Sequence, residues 1–351
     1  MPTNSLTNAC PRSATNRAFL ATVTAVAALS QVPGARADCG DPPLRARTDS
    51  SNNALLLRVR TSSEFTILSD QGRRYRILVS SPRGPIPAGG FPVIYILDAD
   101  AWFGLAVEIA KMREYEKLAP PIVVGIASPS HLLFDPKGRS LDFTPPGAVD
   151  DVSAKAGFKL GGADQFLSFL NETLKPRVRK MCRINPSSET IFGHSLGGLF
   201  VLYTKFKAPG SFNTYLAASP SIWFSNKIVL KVEPAFETNP TRRKVRALIT
   251  VGEFESNLSS ALESDYRRYY STHPEVIPGQ TVSEAIAEMR KDSDAADMVG
   301  DAHGLAERLV RSGAKATFAE FTAEEHLSAA VSALNRGIPF ALRPDVAERS
   351  N

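Results

Sequence analysis

Apolar residues recur along this chain in short uninterrupted runs separated by amphipathic stretches. Such runs are typical of strands that are buried on both faces of a parallel sheet, whereas apolar positions every three or four residues indicate helices packed on that sheet. Asp70-Gln71-Gly72 predicts a hairpin turn between the first two strands. The predicted strands are Ser63–Leu68, Tyr75–Val79, Phe91–Leu97, Ile122–Ile126, Thr190–Phe192, Tyr215–Ala218, Arg246–Val251 and Ala316–Phe321.

Helices are predicted between the later strands, and strand–helix–strand units with short links form right-handed parallel crossovers. The predicted helices are a segment that ends near Leu118, then Gly161–Arg179, a helix that begins at Leu196, Ala302–Arg311 and Ser328–Phe340. Residues 127–160 are rich in Pro, Gly and Asp without a clear period, which is typical of a functional loop or an insertion. The predicted fold class is therefore α/β: a mostly parallel central sheet flanked by helices, with an insertion or lid region.

The N-terminal 37 residues have the pattern of an export signal. Arg12 and Arg17 precede the apolar run Phe19–Leu29, and the PGARA segment that follows favours cleavage after Ala37. That run is shorter than the roughly 20 residues that a membrane-spanning helix needs. We therefore expect residues 38–345 to form one domain that is periplasmic or secreted, without stable membrane insertion.

The composition fits a folded domain with a sizeable core, since 43% of the 351 residues are hydrophobic and 22% are charged. The net charge of +5 falls to +2 when the signal segment, which holds three arginines and no acid, is removed. This balance, with no arginine-rich helix, argues against nucleic acid as a partner. Cys39 and Cys182 then form an even pair, for which a disulfide is one hypothesis and two free thiols are the other.

The segment Ile191–Tyr203, IFGHSLGGLFVLY, contains the pattern G-x-S-x-G between a predicted strand and a predicted helix. A serine on such a sharp turn has a strained backbone, so a Cβ at Gly193 or Gly197 is expected to collide with neighbouring backbone. The turn would leave Ser195 Oγ clear at the carboxyl edge of the sheet, facing the N–H groups of the helix that begins at Leu196. The plainer interpretation is a glycine-rich loop, but the flanking elements favour a nucleophile.

Two further groups are expected at the same edge of the sheet. His326 follows the last strand and precedes the closing helix, where the general base of a Ser–acid–His chain order belongs. Glu253 and Glu255 directly follow the predicted strand Arg246–Val251, and their spacing puts both side chains on one side of the chain. Geometry therefore does not decide which of the two is the acid. The remaining histidines, which we interpret as packing or surface residues without metal-ligand spacing, are His131, His194, His273 and His303. No metal or cofactor is expected.

An oxyanion hole needs two backbone donors. The N–H of Leu196 is one candidate, and the loop after Leu97 is expected to supply the other, from Ala99 or Asp100.

Six sequence segments, in this order, carry a family resemblance: YILDADAWF, GRSLDFTPP, GHSLGGLF, AASPSIWF, ITVGEFE, and EEH before ALNRGIPFAL. From Ser63 to Leu342 the chain resembles the esterase D-type branch of the α/β-hydrolases, and within it the ferric-siderophore esterases that open the trilactones enterobactin and salmochelin. The resemblance implies a Ser–His–Glu triad with Glu255 as the acid. The chain departs from the family pattern at Ala99, where a glycine is usual after the aspartate.

The resemblance also implies a substrate. A ferric catecholate siderophore is a bulky trianion with aromatic rings, so its site should combine cations with flat apolar walls. Arg139 is the candidate cation, and Trp102 and Trp223 are candidate walls; iron would arrive with the substrate. The leading hypothesis is an exported serine esterase. The alternatives are a generic carboxylesterase or an acyltransferase of the same fold, and a non-catalytic siderophore-binding protein.

Overall fold

The apolar runs pair into one sheet, as the sequence predicts. In this computed structural model residues 62–343 are described, except 83–84, 117–118, 151–152, 155–156, 257–259, 273 and 275–278. The strands of the described chain are β1 Ser62–Leu68, β2 Arg74–Ser80, β3 Phe91–Ile96, β4 Ile122–Ala127, β5 Ile184–His194, β6 Thr214–Ala218, β7 Arg246–Gly252 and β8 Lys315–Phe321. They lie in the order β1-β2-β4-β3-β5-β6-β7-β8.

The β1–β2 hairpin and the β2–β4 pair are antiparallel, and every other neighbouring pair is parallel. The expected mostly parallel α/β sheet is therefore confirmed. The helices are α1 Ala99–Met112, α2 Pro136–Asp142, α3 Ala163–Ser168, α4 Lys175–Met181, α5 Leu196–Lys207, α6 Glu233–Glu237, α7 Ser260–Thr272, α8 Val282–Ala296, α9 Met298–Arg311 and α10 His326–Leu342. A π-helical stretch, Phe169–Leu174, joins α3 to α4, and shorter helical turns lie at Arg113–Glu116, Phe224–Lys227, Ile228–Lys231, Pro240–Arg243 and Glu253–Glu255.

Both faces of the sheet are covered, which explains why β3 and β4 are buried at every position and consist of apolar residues. Along β3, Val93 and Tyr95 belong to one hydrophobic cluster, while Ile94 and Ile96 belong to a second cluster on the other face. The first cluster includes α5 and α9, and the second includes α1 and α10. The parallel strands consequently end at one edge, where their following loops lie next to each other.

Several element boundaries differ from the predicted ones; α9, for example, begins at Met298 where Ala302 was predicted. Strand β5 begins at Ile184, since the polar residues before Thr190 still pair with β3 across a bulge at the edge of the core. The segment 127–160 contains helix α2, which has no apolar period because its turn includes Pro136 and Gly138. Helix α10 begins at His326 itself. The predicted loop is therefore partly helical.

Several expectations concern residues beyond the described part of the chain, including the processing site at Ala37 and His273. Cys182 is disulfide-bonded and buried, but its expected partner Cys39 lies outside the described residues, so that pairing stays a prediction. All described residues except Pro85 belong to the compact unit Ala37–Pro82 and Ile86–Asn351. Within the described part, no helix has the length and apolar character to cross a membrane.

Lys205 is a charged residue in the first hydrophobic layer. Its side chain, on α5, is fully buried, and its Nζ has no hydrogen-bond partner among the described residues. The nearest compensation is the Phe236 ring, whose centroid lies 3.8 Å from Nζ. Burial therefore lowers the pKa of Lys205 from 10.5 to about 7. The charged form destabilises the fold.

Replacing this lysine is expected to stabilise the protein. Lysine is charged in both the folded and the unfolded state below pH 7, so the cost is complete there, and it disappears as the pH rises towards 10.5. Lys205→Met should raise the free energy of unfolding by about 1–3 kcal/mol near pH 7, and by less near about pH 9.5. Urea unfolding of both proteins at the two pH values measures this.

Lys175→Met is the matched control, because Lys175 is also buried but its Nζ pairs with Glu189 at 3.4 Å. This variant should be less stable than the wild type, since it removes one partner of the buried Glu189. A Lys205→Met protein that is less stable than the wild type near pH 7 would contradict the electrostatic account.

Candidate active site

The turn between β5 and α5 has the geometry of a nucleophile elbow. Ser195 lies at φ 60° and ψ −120°, outside both the helical and the extended regions. Its N–H donates to the carbonyl oxygen of Ala218 at 3.0 Å, and its own carbonyl accepts from the N–H of Leu199 at 2.9 Å. The serine is half-buried, between a buried strand and the first turn of a buried helix.

The glycines around Ser195 have different roles from those expected. A Cβ at Gly193 would lie 2.2 Å from the carbonyl oxygen of Gly197, so backbone requires glycine there. At Gly197 the prediction of a backbone collision is wrong, because an added Cβ meets only side chains, with the Asp98 carboxylate nearest at 3.4 Å. The second close backbone approach is at Gly198, where a Cβ would lie 2.9 Å from the carbonyl oxygen of Ala218.

His326 and Glu255 form a hydrogen-bonded pair. His326 Nδ1 lies 3.0 Å from Glu255 Oε2, and the Glu255 side chain is completely buried whereas that of His326 is 40% exposed. The second carboxylate oxygen, Oε1, accepts from Ser219 Oγ at 2.6 Å and from the Gly252 N–H at 2.7 Å. Because both of its oxygens are hydrogen-bonded, the Glu255 carboxylate is held in one orientation. It therefore fixes the orientation of the His326 ring.

A close approach of two loops makes this pair possible. A Cβ at Gly252 would lie 2.3 Å from the carbonyl oxygen of Glu324, so the end of β7 and the turn after β8 are in direct backbone contact. The Phe254 N–H donates to that same carbonyl at 3.1 Å. Glu253 binds the Ala323 N–H at 2.7 Å and has no bond to His326. Of the two carboxylates that the sequence left open, the structure therefore pairs Glu255 with the histidine.

Ser195 Oγ lies 3.4 Å from Ser221 Oγ and makes no hydrogen bond to His326. Ser221 follows β6, the neighbour of β5 in the sheet, and its N–H donates to the Ser195 carbonyl at 3.2 Å. The Nε2 atom of His326 has no hydrogen bond to a described residue. The hydrogen bond between a catalytic serine and its histidine base is often long or poorly aligned before a substrate is bound.

His194 links the elbow to the last helix. Its Nε2 lies 2.7 Å from the carbonyl oxygen of His326, and the two imidazole rings are 4.5 Å apart at their centroids. Its own carbonyl oxygen accepts from Arg139 Nη2 at 3.2 Å. The histidine is buried, as expected, but it also bonds directly to the backbone of His326.

Two helices begin at the sheet edge beside Ser195. Leu196 is the first residue of α5 and Ala99 is the first residue of α1, and their preceding strands β5 and β3 are parallel neighbours. Asp98 turns the chain into α1 through a left-handed backbone at φ 49°. First-turn N–H groups of Leu196 and of Ala99 or Asp100 are therefore free of helical hydrogen bonds at adjacent strand ends.

The guanidinium of Arg139 is engaged inside the protein. It pairs with the buried Asp98 carboxylate at 3.1 Å and is only 15% exposed, in addition to its bond to the His194 carbonyl. Burial raises the pKa of Asp98 to about 6, and the attraction of Arg139 opposes that rise. Arg139 was expected as a cationic contact for a substrate; in the structure it neutralises Asp98 and ties α2 to the elbow, because the buried carboxylate needs an internal partner.

The two tryptophans lie in different environments. Trp102 was expected on a pocket wall but is 7% exposed, because the inner face of α1 turns it into the core, where it contacts Phe134 and His194. Trp223 is 40% exposed and follows Ser221 by two positions, packed edge-on against Phe224. Of the two rings, that of Trp223 is open to solvent.

Sequence reasoning missed four residues of this network: Asp98, Ser219, Ser221 and the bonding role of His194. Ser219 and Ser221 follow β6 directly. The carboxyl-edge rule, by which functional residues lie just after the carboxyl ends of parallel strands, selected His326 and Glu255 and also applies to the segment AASPSIWF. The bond from His194 had no such signal, because its ring reaches backbone 132 residues away.

The elbow geometry predicts different effects on stability for alanine substitutions at the two glycines of the G-x-S-x-G pattern. Gly193→Ala should lower the free energy of unfolding by about 2–4 kcal/mol or prevent folding, because it drives a Cβ into backbone. Gly197→Ala should change stability by less than about 1 kcal/mol, since the added methyl meets only side chains and alanine favours the helix. Urea unfolding measures both, and equal losses in the two variants would contradict this geometry.

Comparison with known proteins agrees with this geometry. The Esterase family model matches residues 69–338. The Ferri-bacillibactin esterase BesA of Bacillus subtilis is 32% identical over 304 residues, which cover 81% of this chain and 93% of that protein. The Siderophore triacetylfusarinine C esterase of Aspergillus fumigatus is 30% identical over 295 residues, 79% of this chain and 91% of that protein.

A solved structure shows that the likeness extends to the fold. The crystal structure of the BES protein from Bacillus cereus superposes with a TM-score of 0.64 at 30% identity, covering 81% of this chain and 96% of that one. The sheet order, the helix on each face and the serine elbow at the carboxyl edge are those of an α/β-hydrolase. With a family model that spans most of its length and relatives at 30% identity or more, this protein belongs to the Esterase family and is an esterase.

Proposed function

We propose that this protein is an exported serine esterase that hydrolyses an ester bond of a ferric siderophore. The proposal rests on one observation above all: the buried Glu255 carboxylate holds the ring of His326 at the sheet edge where Ser195 has the elbow conformation. It is supported by two relatives whose names state siderophore esters as substrates, ferri-bacillibactin for one and triacetylfusarinine C for the other.

In this mechanism Ser195 is the nucleophile and His326 is the general base. His326 Nε2 takes the hydroxyl proton as Ser195 Oγ attacks the ester carbonyl, and the imidazolium then protonates the leaving alkoxide. The mechanism requires Ser195 Oγ to leave its contact with Ser221 and to donate a hydrogen bond to the imidazole. Water activated by the same nitrogen hydrolyses the acyl-enzyme and regenerates the serine.

Glu255 makes the histidine a better base without touching the substrate. Because its Oε2 accepts from Nδ1–H, the tautomer that leaves Nε2 unprotonated is selected, and the imidazolium that forms is stabilised. The bonds from Ser219 and Gly252 hold the carboxylate in place without neutralising it. Glu253 is committed to the Ala323 backbone and has no such role.

The tetrahedral oxyanion is bound by backbone. The N–H of Leu196 is the first donor, and Ala99 or Asp100 supplies the second, from the start of α1. Donors of this type are held in place by the two helices before the reaction begins, and each is worth about 3 kcal/mol. The Asp98 carboxylate lies close to this region, so its pairing with Arg139 keeps uncompensated negative charge away from the forming oxyanion.

Apolar side chains next to the catalytic residues suit a substrate with flat aromatic groups. Large hydrophobic side chains that are exposed in the segments after the strands include those of Leu132, Leu133, Trp223, Phe254 and Leu327. Phe254 and Leu327 are the chain neighbours of Glu255 and His326. We propose Trp223 as a stacking contact, and Arg139 as a cationic contact that a bound anion would share with Asp98.

The other enzyme hypothesis is transfer of the acyl group to an alcohol of a sugar or lipid instead of water. The non-catalytic alternative is a protein that only binds a ferric siderophore. A pure binder needs neither the strained Ser195 nor the Glu255–His326 pair, which favours catalysis. Export rests on the signal-like segment 1–37 alone and is part of the proposal.

Mass spectrometry of ferric enterobactin and ferric triacetylfusarinine C after incubation with the mature protein tests the substrate. We expect the wild type to hydrolyse ester bonds of at least one of them, and Ser195→Ala to leave both intact. A nitrophenyl ester is the control. Hydrolysis of the simple ester with both siderophores untouched would reject the siderophore assignment, and transfer to an added alcohol in excess of hydrolysis would favour the acyltransferase.

The two glutamates provide a matched test of the acid. Glu255→Gln should lower kcat by about a hundredfold or more with the nitrophenyl ester, because the amide no longer selects the reactive tautomer of His326. Glu253→Gln should keep most of the activity, since its amide oxygen still accepts from the Ala323 N–H. Equal effects of the two substitutions would contradict the assignment of Glu255.

A further inference from the structure

His194 has a hydrogen bond whose direction is determined. The carbonyl oxygen of His326 can only accept, so the His194 Nε2 atom at 2.7 Å must carry the proton. In the neutral ring Nδ1 is then unprotonated, and it is buried without a hydrogen-bond partner among the described residues. A proton added to Nδ1 would therefore lack an acceptor in a buried site.

The surroundings keep this ring neutral. His194 is 2% exposed, with the edge of Trp102 against it at 5.5 Å between centroids. The charged or titratable groups that face it are His326 and Arg139, and Arg139 carries its own charge towards Asp98. Burial, reinforced by these two neighbours, lowers the pKa of His194 to about 3. The buried site therefore favours the neutral ring.

The backbone that His194 holds is that of the proposed general base. His326 is the first residue of α10, and its side chain is fixed through Nδ1 by Glu255. Its carbonyl is fixed by His194, which precedes the nucleophile directly in the chain. A shift of the α10 start would move the His326 ring relative to Ser195 even with the Glu255 bond intact. The bond from His194 is the described side-chain contact that holds this carbonyl.

We propose that His194 is a positioning residue for the esterase reaction, in which its neutral Nε2–H holds the main chain of His326 in register with Ser195. The neutral state matters as much as the bond. When His326 takes the serine proton it becomes an imidazolium 4.5 Å from the His194 ring, and a cation there would oppose the proton transfer. This proposal rests on the proposed roles of Ser195 and His326.

Three substitutions separate the hydrogen bond from simple filling of space. His194→Gln keeps an N–H donor at nearly the same reach, His194→Leu removes it, and His194→Asn carries the same amide on a side chain that is one methylene shorter. We expect kcat for the nitrophenyl ester to fall by about tenfold or more in the Leu and Asn variants with KM unchanged, because only the reacting geometry is lost. The Gln variant should stay within about threefold of the wild type.

The rate of Ser195 labelling by a small fluorophosphonate, followed by intact mass, supplies a readout that does not depend on the natural substrate. It should fall in parallel with kcat. His303→Leu, which removes an exposed histidine of α9 whose ring meets that of Phe318 at a tilted angle, is the matched control and should label at the wild-type rate. Urea unfolding identifies folded variants; if the Leu variant does not fold, the Gln and Asn pair decides the question.

Three results would overturn the proposal. Folded Leu and Asn variants with wild-type kcat and labelling rate would show that the bond does not position the base, while loss of labelling in Ser195→Ala would leave the proposed function intact. A Gln variant as impaired as the Leu variant would show that the donor is not the cause. Labelling that persists in Ser195→Ala would reject both this proposal and the proposed function.

Discussion

The chain passes from β5 into α5 only because the Gly197 carbonyl can approach the α-carbon of Gly193 to a distance that no side chain allows. This approach holds Ser195 at positive φ, a conformation that costs a non-glycine residue on the order of 1–3 kcal/mol. The cost is offset by the burial around it, since Ile191, Phe192, Leu199 and Phe200 are all fully buried. The core thus maintains a strained serine at the sheet edge.

The other residues of the proposed site are positioned relative to Ser195 by polar contacts between loops. Glu255 orients His326 from the end of β7, and His194 binds the His326 backbone from the elbow itself. Arg139 joins α2 to the elbow and to Asp98 at the start of α1. Four strand ends are therefore coupled by charge-assisted or buried hydrogen bonds, which are strong and directional. Such coupling lets several loops together maintain the geometry that the proposed mechanism needs.

Periodicity and the carboxyl-edge rule were sufficient for the fold, the elbow and the placement of His326 at the edge of the sheet that carries Ser195, because these follow from local pattern and strand order. They failed where the outcome depends on contacts between distant segments. The inward rotation of Trp102, the internal pairing of Arg139 and the bond from His194 to His326 are all of this kind. The choice between Glu253 and Glu255 belongs with them, since it follows from the close approach of Gly252 to Glu324.

The central claim is that Ser195, and not its neighbour Ser221, carries the acyl group during turnover. The most direct measurement is peptide mapping of the acyl-enzyme trapped by rapid acid quench during a single turnover of a nitrophenyl ester. The account predicts one adduct, on the peptide that contains Ser195. An adduct on Ser221, whose Oγ lies 3.4 Å away, or turnover without any acylated serine, would contradict it.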